Sequence, residues 1–245
     1  MTRDTSPFRY LLVQALDLAR AQLLLFVVVS AGLAGVIWKI FGDDVGRAFD
    51  AADMVGALLA GTLLIAILMA AGGVAGTDIK QGYYRALFSK PMAPWWFYLQ
   101  RWLLGGLVVL TIPVWLGLAF AVAFGKGTGL SAEVFGVVAL SYLLIGGAVL
   151  LFSTLTSRDW LVAFLLYFLQ ARLHDAEQIF TALSRDVPAA MAIALKVLPP
   201  FDLVSPRAPL PSGGDLAHVL LYGAAMVAAA LLLLRFRPLG SGGRA

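Results

Sequence analysis

Residues 78–101 read DIKQGYYRALFSKPMAPWWFYLQR. Five charged side chains and two prolines stand here between two long uncharged runs, 54–77 and 102–125. The chain around them has 245 residues, 61% of them hydrophobic and 13% charged. A soluble domain carries about 25% charged residues. The composition therefore describes an integral membrane protein of one domain, residues 1–245. In such a chain a polar, proline-broken piece joins two membrane-spanning segments outside the bilayer.

A spanning helix takes about 20 mostly apolar residues. Residues 21–38, 54–77, 102–125 and 134–157 carry no charge, and 216–234 has only His218 as an ionisable group. The run 160–171 is also uncharged but short. Its expected continuation is an amphipathic extension with Leu173, Ala176, Phe180 and Leu183 on one side. A re-entrant or broken helix is the competing reading. The expected fold class is all-α, with six transmembrane helices. Ahead of them, Ser6-Pro7 reads as a helix start. Phe8, Leu11, Leu12, Ala15 and Ala19 then recur at helical spacing, with Asp17 and Arg20 among the polar positions. Residues 1–20 are thus expected to form an amphipathic surface helix; a longer first span with a ragged start is the alternative.

Lysine and arginine set the orientation. With the N-terminus inside, Arg3, Arg9, Arg20, Lys80, Arg85, Lys90, Arg101, Arg158, Arg235, Arg237 and Arg244 fall inside, eleven of the 18. Both termini are therefore expected in the cytoplasm, with 172–215 as an outer connection and 238–245 as a flexible tail. Segment 78–101 then faces the cytosol. Ile79, Tyr83, Ala86 and Leu87 fall near one face of a short helix expected from Asp78 to Lys90. Pro91 and Pro94 stop it, and Pro94 is placed to open the next helix. Trp95, Trp96 and Tyr98 suit the aromatic belt at a membrane surface. An ordinary positive-inside loop would account for the charges equally well.

The same residues carry a resemblance. Asp78, Gly82, Arg85, Ser89, Lys90, Pro91 and Tyr98 occupy positions that resemble the segment between the second and third spans of ABC-2-type transporter permeases. The pattern departs from that family at Pro94. Asp17 in the N-terminal helix, the six spans and the proline-containing LKVLPPFDLVSP (195–206) are similar to the family as well. The resemblance implies a multi-pass subunit of a bacterial-type inner or plasma membrane, working as an exporter. It implies an ATP-binding cassette partner that holds ATP and magnesium, and a second permease copy in a homodimer or pseudo-dimer. It also implies that 78–101 receives force from the ATPase. Asp78, Lys80, Arg85 and Lys90 would pair with the partner, with Tyr83, Tyr84, Leu87 and Phe88 as buried anchors, since aromatic side chains are frequent hot spots.

The chain itself offers no ATP site. AFGKGTG (123–129) lacks the upstream glycine of a P-loop, and Lys126 is followed by glycine where Ser or Thr is required. No cysteine is present, and no nucleophile–base pattern occurs, so no enzymatic activity is expected of this chain alone. The basic residues cluster at the ends of apolar runs, which fits a membrane surface and not nucleic acid. His174 and Glu177 in HDAE share a helix face, but one such pair supplies too few metal ligands. His218 reads as interfacial. Ala31/Gly35, Ala57/Gly61 and Gly72/Gly76 are small pairs four apart, expected mostly to pack helices within the chain. Ser30, Thr62, Thr111 and Ser141 are expected to bond back to their own helices. Nearly uncharged spans favour a lipidic, amphiphilic or hydrophobic cargo over an ion. Two further readings share the hydropathy: an anchoring subunit of a larger membrane complex, and a lipid-modifying enzyme centred on HDAE.

Overall fold

A computed structural model describes residues 51–80, 93–124, 128–183, 186–204 and 210–236, together with Val13, Leu16 and Arg20. Within these residues the chain is helical, with no strand. Helix α1 (Ala51–Ala71) is followed by the short α2 (Gly76–Lys80), then α3 (Pro94–Leu110) and α4 (Ile112–Phe124). Next come α5 (Ala132–Ser141), a π-helical turn (Tyr142–Gly146) and α6 (Gly147–Leu155), then α7 (Asp159–Ala182) and α8 (Ala189–Val197). A 3-10 turn (Phe201–Val204) and α9 (Gly213–Phe236) complete the described chain.

Among the described residues three stretches are long and apolar enough to cross a membrane: Pro94–Val122, Ala132–Leu155 and Gly213–Phe236. They and α1 and α7 run between the same two ends of the bundle. One end gathers 72–80, 93–101 and 153–160; the other gathers 128–131, 198–204 and 210. Leu103, Leu107, Trp115, Leu118, Leu165, Phe168, Leu221 and Leu232 face outward. That apolar exterior is compatible with a membrane protein. The expected first span 21–38, most of the N-terminal helix including Asp17, and the tail 238–245 lie outside the described residues. Val13, Leu16 and Arg20 are helical and exposed.

Several boundaries differ from expectation, each for a local reason. The first described span ends at Ala71, not Thr77, because Gly73 adopts a left-handed conformation (φ 65°) that stops the helix. The next helix begins at Pro94, which lacks the N–H that a first-turn position leaves unpaired in any case. It breaks at Thr111, two residues before Pro113, whose absent N–H interrupts the helical ladder. Helix α7 is continuous over 24 residues, about 36 Å at the helical rise, so 160–171 extends outward without a break. Leu173, Ala176 and Phe180 are half-buried on its inner face, as the amphipathic pattern requires, while Leu183 is exposed.

Packing centres on Tyr142. A Cβ at Gly105 would lie 2.8 Å from its Oη and 2.9 Å from the Ala70 carbonyl, and one at Gly106 would lie 2.7 Å from its ring. Glycine at both positions lets α1, α3 and the π turn converge. The Tyr142 hydroxyl donates to the Trp102 carbonyl (2.6 Å), and the Trp102 indole N–H donates to the Gly146 carbonyl (3.0 Å). These two bonds satisfy the Tyr142 hydroxyl and the Trp102 indole N–H and join α3 to the π turn. Tyr142→Phe keeps the shape and removes one donor. It should lower stability by about 1 kcal/mol, seen as a modest drop in the thermal midpoint of the full chain in detergent; an unchanged midpoint would remove this bond from the account.

The hydroxyls behave as expected. Thr62, Thr111 and Ser141 donate to the carbonyls of Leu58, Val108 and Val137; Ser30 lies outside the described residues. The small pairs divide: Gly76 packs closely within the chain as expected, a Cβ there lying 2.7 Å from the Thr156 carbonyl, while Gly61 does not. Gly61 is exposed with nothing within 4 Å of a Cβ placed there, and Gly72 and Gly76 are separated by the helix break. Ala31/Gly35 lies outside the described residues.

Candidate functional site

The end of the bundle formed by 72–80, 93–101 and 153–160 is built from a helix break and two carboxylates. At Gly73 the chain leaves α1, and the freed backbone N–H needs an acceptor. Asp159, at the start of α7, provides it: its Oδ2 accepts from Gly73 N (2.7 Å) while Oδ1 accepts from Trp160 N (2.8 Å). Asp159 is buried, and both its oxygens are occupied by backbone donors. The chain then runs against the 153–157 stretch so closely that a Cβ at Gly76 would lie 2.7 Å from the Thr156 carbonyl and 3.0 Å from that of Ser153.

Helix α2 carries Asp78 toward α3. Arg101 Nη1 lies 3.1 Å from Asp78 Oδ2 and 3.0 Å from the Val74 carbonyl, so one guanidinium ties both sides of α2 to α3. The Tyr98 hydroxyl donates to the same carboxylate oxygen at 3.3 Å. Tyr98 and Arg101 lie three residues apart on α3, one helical turn, which is why both reach one partner. Burial pushes the Asp78 carboxyl above its ordinary range, and the Arg101 charge and the two hydrogen bonds pull in the opposite direction. The residues flanking 81–92 are therefore clamped to each other, and through Gly73 and Asp159 to α7. The Asp78–Arg101 contact thus joins the described residues on either side of 81–92.

Of the sequence-derived site residues, Asp78 sits in this clamp and Lys80 is exposed at the end of α2. Gly82, Tyr83, Tyr84, Arg85, Leu87, Phe88, Ser89, Lys90 and Pro91 lie outside the described residues, as does Lys126. Asp78 points to its own chain. Tyr98 does not lie in an interfacial belt: it is fully buried, because its ring packs beside Phe97 and its hydroxyl is drawn to Asp78. Trp96, by contrast, is 46% exposed. Arg101 and Asp159 are the residues sequence reasoning missed. Arg101 read as one more inside charge; Asp159 is the only carboxylate between Glu133 and Asp175, a signal of a special role in so apolar a stretch.

At the opposite end, His174 Nδ1 is 3.5 Å from Glu177 Oε2 and 4.0 Å from Asp202 Oδ2. Among the described residues no group of three or more such side chains is arranged to hold a metal ion. His218 is exposed near the start of α9, its ring 5.9 Å from that of Tyr222. Comparisons with protein-family models, with curated proteins and with solved structures found no match.

Proposed function

We propose that this chain is the membrane-spanning permease subunit of an ATP-driven ABC-2-type exporter. It works in a multi-pass membrane domain of six spans with both termini in the cytoplasm, paired with a second permease copy. ATP and magnesium are held by a separate ATP-binding cassette subunit that docks on 81–92. The cargo is lipidic or amphiphilic, in keeping with spans that carry almost no charge.

One observation carries the reading. Both flanks of 81–92 are pinned by the Asp78–Arg101 contact, and the N-terminal flank is fixed to α7 through Gly73 and Asp159. A push on a segment anchored this way moves packed helices as units, which force transfer from an external motor requires. An unattached loop would absorb the same push. Asp78 belongs to the base of the lever, and docking falls to the residues beyond it.

Affinity purification of the full chain in mild detergent tests the assignment. A P-loop ATPase should co-purify, and Arg85→Glu or Gly82→Leu should cut its recovery at least about fivefold, the effect of roughly 1 kcal/mol or more lost at an interface hot spot. Recovery of other membrane subunits with no ATPase would favour an anchoring role instead. The side of the membrane is checked separately. In a chain without cysteine, Lys90→Cys should resist an impermeant maleimide in intact cells and react after permeabilisation. Labelling in intact cells would overturn the proposal.

A further inference from the structure

The helix break at Gly72–Gly73 leaves a hollow beside the start of α7. Neither glycine has a side chain to fill it, and a groove of about 540 Å³ runs from there along α1 and α7. Leu68 and Met69 on α1 and Phe164 on α7 line it one helical turn in from the break. Ile65 lines it a turn further, about 10 Å along the helix axis from Gly72. Ile65 and Met69 are exposed, and Leu68 and Phe164 are half-buried. The wall is therefore apolar and open to the exterior. The mouth, at the bundle end, is different. Ser157 and Trp160 line it, and the exposed Arg158 stands between them in the chain. Among the described residues the Ser157 hydroxyl, the Arg158 guanidinium and the Trp160 indole N–H have no hydrogen-bond or ion-pair partner. The Asp159 carboxylate is fully buried, and its two oxygens accept from the Gly73 and Trp160 backbone.

The geometry points to this groove as a binding site for one anionic phospholipid, its acyl chain along Ile65, Met69 and Phe164 and its phosphate at Ser157, Arg158 and Trp160. The mouth offers three donors and one positive charge without a counter-ion, which complements a phosphodiester. A zwitterionic headgroup would bring an ammonium group as well, and the Asp159 carboxylate is closed off from it. A phosphate without acyl chains would use the mouth and leave the apolar wall unused. Trp160 stands at the same end of the bundle as Trp96, and both are exposed. Such rings mark the headgroup level of a membrane, where lipid phosphate is found. Other described cations at this end are Lys80, Arg101 and Arg235, of which Arg101 is held by Asp78. The lipid is a resident of the fold and not the cargo. The site rests on the membrane placement of the bundle and is independent of the transport reading.

The test uses the full chain purified in an uncharged detergent. The protein is incubated with an equimolar mixture of phosphatidylglycerol and phosphatidylcholine of identical acyl chains, and the lipids it retains are counted by native mass spectrometry. Phosphatidylglycerol should be retained about fivefold over phosphatidylcholine, the effect of one arginine on an anionic lipid. Arg158→Gln should bring the ratio near one, while Arg235→Gln, which removes a charge at the same end but outside the groove, should leave it unchanged. Ile65→Ser combined with Met69→Ser strips apolar contact from exposed positions and should lower retention of both lipids at least about threefold. Glycerol phosphate, which carries the anion without the chains, should not displace phosphatidylglycerol. A wild-type ratio near one, a preference that survives Arg158→Gln or is lost in Arg235→Gln, undiminished retention in the double variant, or displacement by glycerol phosphate would each overturn the proposal.

Discussion

Arg101→Met is expected to lower the stability of the folded chain by about 2–3 kcal/mol near neutral pH, because it strips the counter-charge from a largely buried carboxylate while keeping the side-chain volume. The Arg101 and Asp78 side chains are 26% and 16% exposed, so water replaces the lost guanidinium poorly. The loss has a pH signature. The folded-state pKa of Asp78 already lies above its ordinary value because of burial, and Arg101 is the main opposing influence. Without Arg101 it rises further. A carboxyl with a raised folded-state pKa contributes stability that is full below its unfolded value, about 3.9, and is lost as pH rises through the folded value. The deficit of Arg101→Met should therefore be small in acid and grow toward neutral pH. Thermal midpoints of wild type and Arg101→Met in detergent between pH 4 and 8 give the answer. A deficit constant over that range would mean that Arg101 acts through packing or its bond to the Val74 carbonyl, and not through the Asp78 charge.

Gly76→Val should be more damaging still, by about 3 kcal/mol, the upper end of the usual cost of overpacking. The added Cβ meets the carbonyl oxygens of Thr156 and Ser153, and backbone of a packed helix end cannot rotate aside as a side chain would. Helix α2 would have to leave the 153–157 stretch, loosening the Gly73–Asp159 contact with it. Gly76→Ala already introduces the clash and should lose much of the same stability. Gly61→Ala is the contrasting substitution. It has open space around it in the middle of α1, and should raise stability by about 0.5–1 kcal/mol through helix propensity alone. In the proposed transporter, Gly76→Val should also uncouple ATPase activity from cargo movement while leaving the ATPase bound, since the 81–92 segment itself is intact. Equal thermal midpoints for Gly76→Val and wild type would show that the close approach of α2 to 153–157 does not contribute to the fold.

The helical, membrane-compatible class of this protein was legible in its residues. Hydropathy is a property of composition over a window, and lipid selects long apolar helices with no help from tertiary detail. Pro94 as a helix start and the continuation of 160–171 into an amphipathic extension were legible for the same kind of reason: each depends on neighbours within one or two turns. The break at Gly72–Gly73 was less so. A glycine pair permits a left-handed residue but does not demand one, and here the demand comes from Asp159, 86 residues away.

What only the tertiary structure decided is the identity of partners. Asp78 and Tyr98 carry the right chemistry for a surface that meets another protein, and the sequence places them on a polar segment. Their burial follows from Arg101 and Tyr98 sharing one face of α3 opposite α2, a matter of how two helices cross. Likewise His174 and Asp202 are separated by a loop and a helix, and come together only because the proline-rich turn folds back on α7. Local sequence sets which segments are helices and which prefer lipid. Which charges face each other depends on distances between segments far apart in the chain, and those distances are fixed only when the helices pack.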